Sequence, residues 1–196
     1  IGIFTMNAYG LSGALYQMLN HGISTGALFI LIGMIYERTH SREISKYGGL
    51  AGVLPLYTIA FVIVTMSSIA VPLTNGFIGE FLILLGAYQY APAVAVIAIT
   101  GVVLGATYML WMVKRIFFGP KGELVLAAEK DEQHSFHDLT AREIVVLTPL
   151  LIMIFWMGVF PNNFIDYSKA SVDYLIKNKG NYSFPVSSQQ AKLEEK

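Results

Sequence analysis

One carboxylate, Glu80, interrupts the longest charge-free stretch of this sequence. It is the only Asp, Glu, Lys or Arg between Lys46 and Lys114, and the surrounding segment "VPLTNGFIGEFLIL" places a proline, an asparagine and a glycine just before it. A helix of about 20 mostly apolar residues is enough to cross the roughly 30 Å core of a bilayer. This stretch therefore predicts a membrane protein that crosses more than once, with Glu80 as its first candidate functional residue.

The composition supports an all-α membrane protein. The chain is 55% hydrophobic and only 13% charged. About four transmembrane helices are expected, at residues 12–36, 54–88, 93–117 and 141–159. We divide the chain into a transmembrane helical region, 1–167, and a polar C-terminal tail, 168–196. The first residues, "IGIF", are expected to end an earlier apolar segment, which makes this the C-terminal part of a larger protein.

The second predicted helix is too long to be continuous. At ~1.5 Å per residue, 54–88 would measure roughly 50 Å. The motif "PLTNG" offers a break, because Pro72 lacks an amide donor and obstructs the preceding turn. Gly76 is expected to relax the backbone there, next to Asn75. The second transmembrane helix is therefore predicted to be discontinuous.

The distribution of Lys and Arg predicts the orientation. These residues concentrate in the loop after the first span and in the loop between the third and fourth spans, at Arg38, Arg42, Lys46, Lys114, Arg115, Lys121, Lys130 and Arg142. An even number of crossings separates the two loops, so they are expected on the same side of the membrane. The positive-inside rule assigns that side to the cytoplasm or matrix.

The helix break gives Glu80 a chemical setting. An acid at the centre of a membrane helix costs about 2.5–3.5 kcal/mol on insertion scales, and such residues mark relays and ion paths. Burial favours the protonated carboxyl, whereas the N-terminus of a restarted helix favours the anion. Broken helices also provide polar backbone and room for water. The alternative is a structural Glu80, protonated and held by a neighbouring hydroxyl.

A polar stripe marks the first span. His21 shares a helix face with three residues at i−4, i+3 and i+4, namely Gln17, Ser24 and Thr25. Such a stripe is typical of a hydrogen-bonded water chain, in which His titrates near physiological pH. The alternative is contact between helices, with Gly22 and Gly26 allowing close packing.

The composition also excludes several functions. The formal net charge is zero, which gives no indication of a nucleic-acid partner, and cysteine is absent. The chain therefore has no thiolate ligands for iron–sulfur clusters. It has no glycine-rich phosphate-binding motif of the dinucleotide or P-loop kind. We expect no cofactor and no metal in this chain.

Three long motifs resemble a known family. They are "LNHGISTGALFILIGMIYERTHSREISKYGGLA", "IAVPLTNGFIGEFLIL" and "YMLWMVKRIFFGP", and they are similar to the antiporter-like membrane chains of respiratory complex I. The resemblance covers most of residues 2–161. It implies a fourteen-helix fold of which this chain is the C-terminal part, with a discontinuous twelfth helix at the predicted break.

Two residues indicate a branch within that family. Glu80 occupies a position where the other antiporter-like chains typically have Lys, and Thr25 stands where the distal chain tends to have Lys. The resemblance is thus to the branch with glutamate in its broken helix. It implies that Glu80 ends a central line of ionisable groups and takes part in proton release. His21 matches a member of that line, and Ser24 and Thr25 would relay protons through water.

The resemblance implies that the chain functions as one subunit of a larger membrane complex. It indicates a non-redox, proton-translocating subunit of NADH:quinone oxidoreductase in the bacterial inner membrane, which couples quinone reduction to proton pumping. Flavin, iron–sulfur clusters and the quinone site are expected in partner subunits. The partners would be the other membrane subunits, especially neighbouring antiporter-like chains, and the lipid bilayer. The alternatives are a subunit of a membrane-bound hydrogenase or cation/proton antiporter, and a structural scaffold chain with an inert, buried Glu80.

Overall fold

The computed structural model describes residues 1–130 and 136–178, which form helices and loops without any strand. The helices in chain order are α1 (Ala8–Thr39), α2 (Pro55–Ser68), α3 (Asn75–Tyr90), α4 (Pro92–Phe117), α5 (Glu123–Lys130), α6 (Ala141–Val159) and α7 (Asn162–Asn178). Short 3-10 helices lie at Gly2–Thr5, Ile44–Lys46 and Leu50–Gly52. The all-α prediction is confirmed.

Three of these helices, α1, α4 and α6, are long and apolar enough to cross a membrane. The next two, α2 and α3, have 14 and 16 residues, about 21 and 24 Å at ~1.5 Å per residue. Each is shorter than a full crossing, so the pair forms one discontinuous span. The prediction of about four transmembrane helices with the second broken is confirmed. The predicted ends of the fourth span coincide with those of α6, whereas α1 is longer than expected at both ends.

The break between α2 and α3 consists of two consecutive turns. The first ends α2, where the Val71 amide donates to the Met66 carbonyl (3.0 Å) and Ala70 takes a left-handed φ of 56°. The second runs from Val71 to Thr74, closed by a Thr74 amide bond to the Val71 carbonyl (3.1 Å). Pro72 lies at its second position, where the fixed φ of proline is favoured. Leu73 follows with a φ of 76°.

Gly76 contributes to the break in a different way from the one predicted. The left-handed conformations belong to Ala70 and Leu73, and Gly76 lies inside the first turn of α3. A Cβ at Gly76 would stand 2.2 Å from the carbonyl oxygen of Ser67, at the end of α2. Glycine is therefore needed because the two half-helices approach each other closely, and the expectation that it relaxes the backbone is wrong.

The discontinuous span packs mainly through α3 against α1. Small residues allow this approach, since a Cβ at Gly13 would stand 2.7 Å from Leu82 Cβ and one at Gly86 would stand 2.4 Å from the Gly10 amide nitrogen. The hydroxyl of the buried Tyr16 donates to the carbonyl of Met157 at 2.6 Å. Helix α1 is thus fixed between α3 and α6.

The two basic loops meet at one end of the bundle. The Arg38 guanidinium donates to both carboxylate oxygens of Glu143, each at 2.8 Å. The carboxylate of Asp138 accepts from the amides of Leu56 and Tyr57, at 2.8 and 3.0 Å, and so caps the start of α2. These bonds confirm that the two loops lie on the same side.

The last described helix crosses the predicted boundary between membrane region and tail. Helix α7 passes through residue 168 and ends at Asn178. A single helix therefore continues across the predicted boundary. Residues 179–196 lie outside the described part of the chain.

Candidate proton-transfer site at the helix break

A cavity of about 510 Å³ lies beside the helix break, between α1, α3 and α4. Glu80, His21 and Thr25 line it, and Ser24 reaches it from its buried position. The opposite wall, on α4, consists of small and apolar residues that include Ala98, Gly101 and Gly105. These polar groups share the lining with a larger apolar surface, and a cavity of this size has room for several water molecules beside the polar groups. The structure thus brings the four predicted proton-transfer residues to one cavity.

Glu80 lies on the α3 wall of this cavity. It follows the first residue of α3, Asn75, by little more than one helical turn, and it is half-buried. Among the described residues, no side chain donates a hydrogen bond to its carboxylate and no cation pairs with it. The acid thus faces a cavity between helices, as its sequence context predicted. A carboxylate without a fixed protein partner is suited to exchange protons with water.

His21 and Thr25 form the α1 wall. The Thr25 hydroxyl lies 3.1 Å from His21 Nδ1, one helical turn away, and the imidazole is exposed to the cavity. The same hydroxyl lies 3.5 Å from His21 Nε2, so Thr25 orients the ring. No atom of the described chain lies within 4 Å of a Cβ placed at Gly22 or Gly26. The described residues therefore do not show the close packing that was the alternative for this stripe.

Gly79 brings the polar stripe of α1 close to the acid. A Cβ at this position would stand 2.2 Å from Gln17 Oε1 and 2.9 Å from Asn20 Nδ2. Because Gly79 has no side chain, Gln17 of α1 can lie against α3 at this position, which immediately precedes Glu80. Gln17 also lines the cavity, so its amide is a further polar group there.

A buried polar cluster adjoins the cavity on the side of the break. The Ser67 hydroxyl donates to Asn75 Oδ1 at 2.5 Å, and Ser24 Oγ lies 2.6 Å from Ser67 Oγ. The Asn20 amide donates to the Asn75 carbonyl at 2.7 Å. Each of these four residues is at most 5% exposed. Hence Ser24, unlike Thr25, is engaged in bonds away from His21, and its role as a relay stays a prediction.

Sequence reasoning missed Asn20 and Ser67 as members of this cluster. A signal for Asn20 was present, because it lies three residues after Gln17 and four before Ser24, within the length of the polar stripe. Ser67 immediately precedes the break, but nothing local indicates that it bonds Asn75. The described residues contain no group of three His, Cys, Asp or Glu that could hold a metal ion.

A broken membrane helix that restarts beside an ionisable residue, facing a cavity between helices, is the arrangement that the sequence resemblance predicted for an antiporter-like membrane chain. The chain belongs to the NADH:quinone oxidoreductase/Mrp antiporter transmembrane family, whose model matches residues 1–105. The family resemblance drawn from the sequence motifs is thereby confirmed.

Relatives and solved structures agree with this membership. NADH-quinone oxidoreductase subunit M of Rhodobacter capsulatus is 43% identical over 91% of this chain and 33% of its own length. Respiratory complex I from Thermus thermophilus with bound NADH includes a chain that is 32% identical, with a TM-score of 0.77, over 89% of this chain and 36% of that one. The chain thus spans about a third of the length of these relatives.

A more distant structure has the same fold. The Mrp complex from Dietzia sp. DQ12-45-1b matches with a TM-score of 0.74 at 21% identity, over 89% of this chain and 39% of that chain. The antiporter-like fold and the integral membrane location are therefore confirmed. The similarity to subunit M is the one that Glu80 and Thr25 indicated. The count of fourteen helices in the whole protein stays a prediction.

Proposed function

We propose that this chain is a non-redox, proton-translocating membrane subunit of an NADH:quinone oxidoreductase, in which Glu80 carries the proton. The supporting observation is the cavity at the helix break, which Glu80 and His21 both line. The family membership and the similarity to subunit M point to the same complex. Similarity to a bacterial relative favours the bacterial inner membrane.

Glu80 is suited to accept and release a proton because two influences on its charge oppose each other. Its partial burial favours the neutral acid. The nearby start of α3, whose first amides point toward the break, favours the carboxylate. Water in the cavity would connect it with His21, whose imidazole can accept a proton at one nitrogen and donate from the other. Thr25 orients that ring.

The energy for transport would come from other chains. This sequence has no cysteine to bind an iron–sulfur cluster. Flavin, iron–sulfur clusters and the quinone site would therefore lie in partner subunits. The neighbouring antiporter-like chains would contact this one within the membrane. Quinone reduction would then drive proton movement through Glu80 by a change of shape or of charge in those neighbours.

The test is Glu80→Gln in the complete complex, reconstituted in vesicles. Glutamine keeps the shape and removes the titration, so proton pumping coupled to quinone reduction should fall by about a hundredfold, as loss of a positioned proton donor typically does. The matched control is Glu43→Gln, on an exposed loop, which should pump at the wild-type rate. Near wild-type pumping and quinone reduction by the Glu80 variant would contradict the proposal.

The partners of the assembled complex test the rest of the assignment. A complex purified through this chain is expected to contain flavin and cysteine-rich subunits. Nickel-bearing partners would indicate a hydrogenase instead, and a complex without redox subunits would indicate a cation/proton antiporter. An intact redox complex that pumps normally with Glu80→Gln would leave only the scaffold function.

A further inference from the structure

We propose that Asn20, Ser24, Ser67 and Asn75 form a break clamp, a set of buried hydrogen bonds that fixes the gap between α2 and α3 and thereby positions Glu80. In this clamp Ser24 is a positioning residue and does not relay protons. The functional consequence rests on the proposed role of Glu80 as a proton carrier. The existence of the clamp does not depend on that role.

The clamp connects all three segments that meet at the break. Ser67 is in the last turn of α2, and Asn75 is the first residue of α3. Asn20 and Ser24 lie one turn apart on α1. Because Asn20 binds the backbone of Asn75 and Ser24 binds Ser67, α1 holds both half-helices at once.

The direction of each bond follows from counting protons. Asn75 Nδ2 points to the Asn20 carbonyl (3.5 Å) and to Ser24 Oγ (3.4 Å), and since a carbonyl can only accept, this end of the amide is the donor. Asn75 Oδ1 therefore accepts from the Ser67 hydroxyl. Ser67 has no second proton, so Ser24 must donate to Ser67.

Three side chains thus form a ring in which every donor points the same way. Asn75 donates to Ser24, Ser24 donates to Ser67, and Ser67 donates to Asn75. A proton passed around such a ring returns to its start and makes no net movement. The ring also includes an amide, which does not titrate near neutral pH. A relay needs hydroxyls whose bonds connect to water or to a titratable group, as Thr25 does with His21.

The burial of the ring gives it rigidity. Buried polar groups are costly unless they are bonded, and all four clamp residues are at most 5% exposed. Apart from Asn20 Oδ1, which has no partner among the described residues, their side-chain polar atoms are hydrogen-bonded. Any movement of α2 relative to α3 would leave at least one of them without a partner. Since Glu80 lies on the same helix as Asn75, little more than one turn later, a fixed Asn75 also fixes the acid relative to His21.

The clamp predicts how fast the break opens, which a thiol placed in it can report. Thr74 is 4% exposed, directly beside Asn75, and the chain has no other cysteine. In the complete complex with Thr74→Cys, labelling of this chain by a small thiol reagent, followed as a mass shift, should be slow. Adding Asn75→Ala or Ser24→Ala should speed labelling about tenfold, as loss of a buried hydrogen bond does for a local opening equilibrium.

The pattern among the variants distinguishes the clamp from a relay. In the clamp, Ser24→Ala and Asn75→Ala should both speed labelling, and the double variant should gain less than the product of the two single effects, because the two residues share a hydrogen bond. All three variants should lower pumping. Ser12→Ala, on the same helix but outside the clamp, should leave the labelling rate unchanged. A relay would instead leave labelling unchanged in every variant and give Asn75→Ala normal pumping, which would overturn the proposal.

A milder variant covers the case in which alanine prevents assembly. Asn75→Ser retains one hydroxyl, which can accept from Ser67 or donate to Ser24 but replaces only part of the amide. It should label at a rate between those of the parent and of Asn75→Ala. Labelling at the parent rate would overturn the clamp. Labelling does not report on Glu80, so this result stands or fails separately from the pumping of Glu80→Gln.

Discussion

Helix α1 presents two polar surfaces that differ in how completely their groups are bonded. On one, Asn20 and Ser24 are buried and belong to the break clamp. On the other, His21 and Thr25 line an open cavity opposite Glu80. The two surfaces alternate within a single turn of helix. The comparison teaches that a polar residue in an apolar helix positions its neighbours where it bonds to other side chains. Where it faces a cavity instead, it is available for proton transfer.

The physical reason for the difference is the number of neighbours at the break. The clamp lies where α1, the end of α2 and the start of α3 converge, so its side chains bond one another, although Asn20, Ser24 and Ser67 also border the cavity. The cavity lies where the facing wall on α4 includes the glycines Gly101 and Gly105. Substitutions in the clamp should therefore change stability first, whereas substitutions in the cavity should change proton transfer first.

The largest effect is expected from adding one methyl group at the break. In Gly76→Ala the new Cβ would stand 2.2 Å from the Ser67 carbonyl oxygen, which forces the half-helices apart. Overpacking of this kind costs about 1–3 kcal/mol or more, so the melting temperature of the complex should fall and less of the chain should assemble. The control is Gly22→Ala in the middle of α1, where the described chain leaves open space.

Equal assembly and equal melting temperatures for these two alanine variants would contradict the comparison. The same test separates two explanations of the break. If glycine were needed only for a flexible backbone, alanine at position 76 would favour a continuous helix without a clash. Gly76 has a helical backbone in α3, so its replacement is expected to act through the clash with Ser67.

A smaller effect is expected from two neighbouring residues of α1, one on each surface. Asn20→Ala removes the donor to the Asn75 carbonyl and should destabilise the chain by about 1 kcal/mol. The cost of the unpaired carbonyl is partly offset because Asn20 Oδ1, itself buried without a partner among the described residues, is removed as well. His21→Ala removes an exposed ring, so the melting temperature should change little while pumping falls several-fold. Thermal unfolding and vesicle pumping of the two variants measure both quantities.

Asn20→Ala should therefore lower mainly the stability, and His21→Ala mainly the rate of pumping. Since water can replace part of the bridging by His21, its loss should reduce pumping less than Glu80→Gln does. Loss of stability in His21→Ala comparable to that in Asn20→Ala would show that the imidazole is a packing residue. The proposed difference between the two surfaces of α1 would then be contradicted at the cavity.

Much of the fold could be predicted because its determinants are local. Pro72 and its neighbours break the helix through their own backbone preferences, independently of how the other helices pack. The start of α6 is set by a capping box, in which Thr140 and Glu143 bond each other's backbone amides, and the sequence "TARE" encodes it within four residues. The charge pattern placed the two basic loops together, and the Arg38–Glu143 pair confirms it.

The clamp could not be predicted because its determinants are distant in sequence. Asn20 and Asn75 are 55 residues apart, and their bond depends on how α1 and α3 pack. For the same reason the sequence predicted that Ser24 and Thr25 act alike, since both share a face with His21. Only the position of Ser67 separates them. The reason for glycine at position 76 could not be predicted either. The carbonyl oxygen that a Cβ there would meet belongs to Ser67, in another helix.

The central claim, that Glu80 gains and loses the transported proton, can be tested directly by infrared spectroscopy. The measurement is the difference spectrum of the complete complex between resting and turning-over states, in wild type and in Glu80→Gln. We predict a protonated-carboxyl band that changes during turnover in wild type and is missing from the glutamine variant. An identical carboxyl signal in both proteins would show that Glu80 keeps one protonation state throughout, and that would contradict the account.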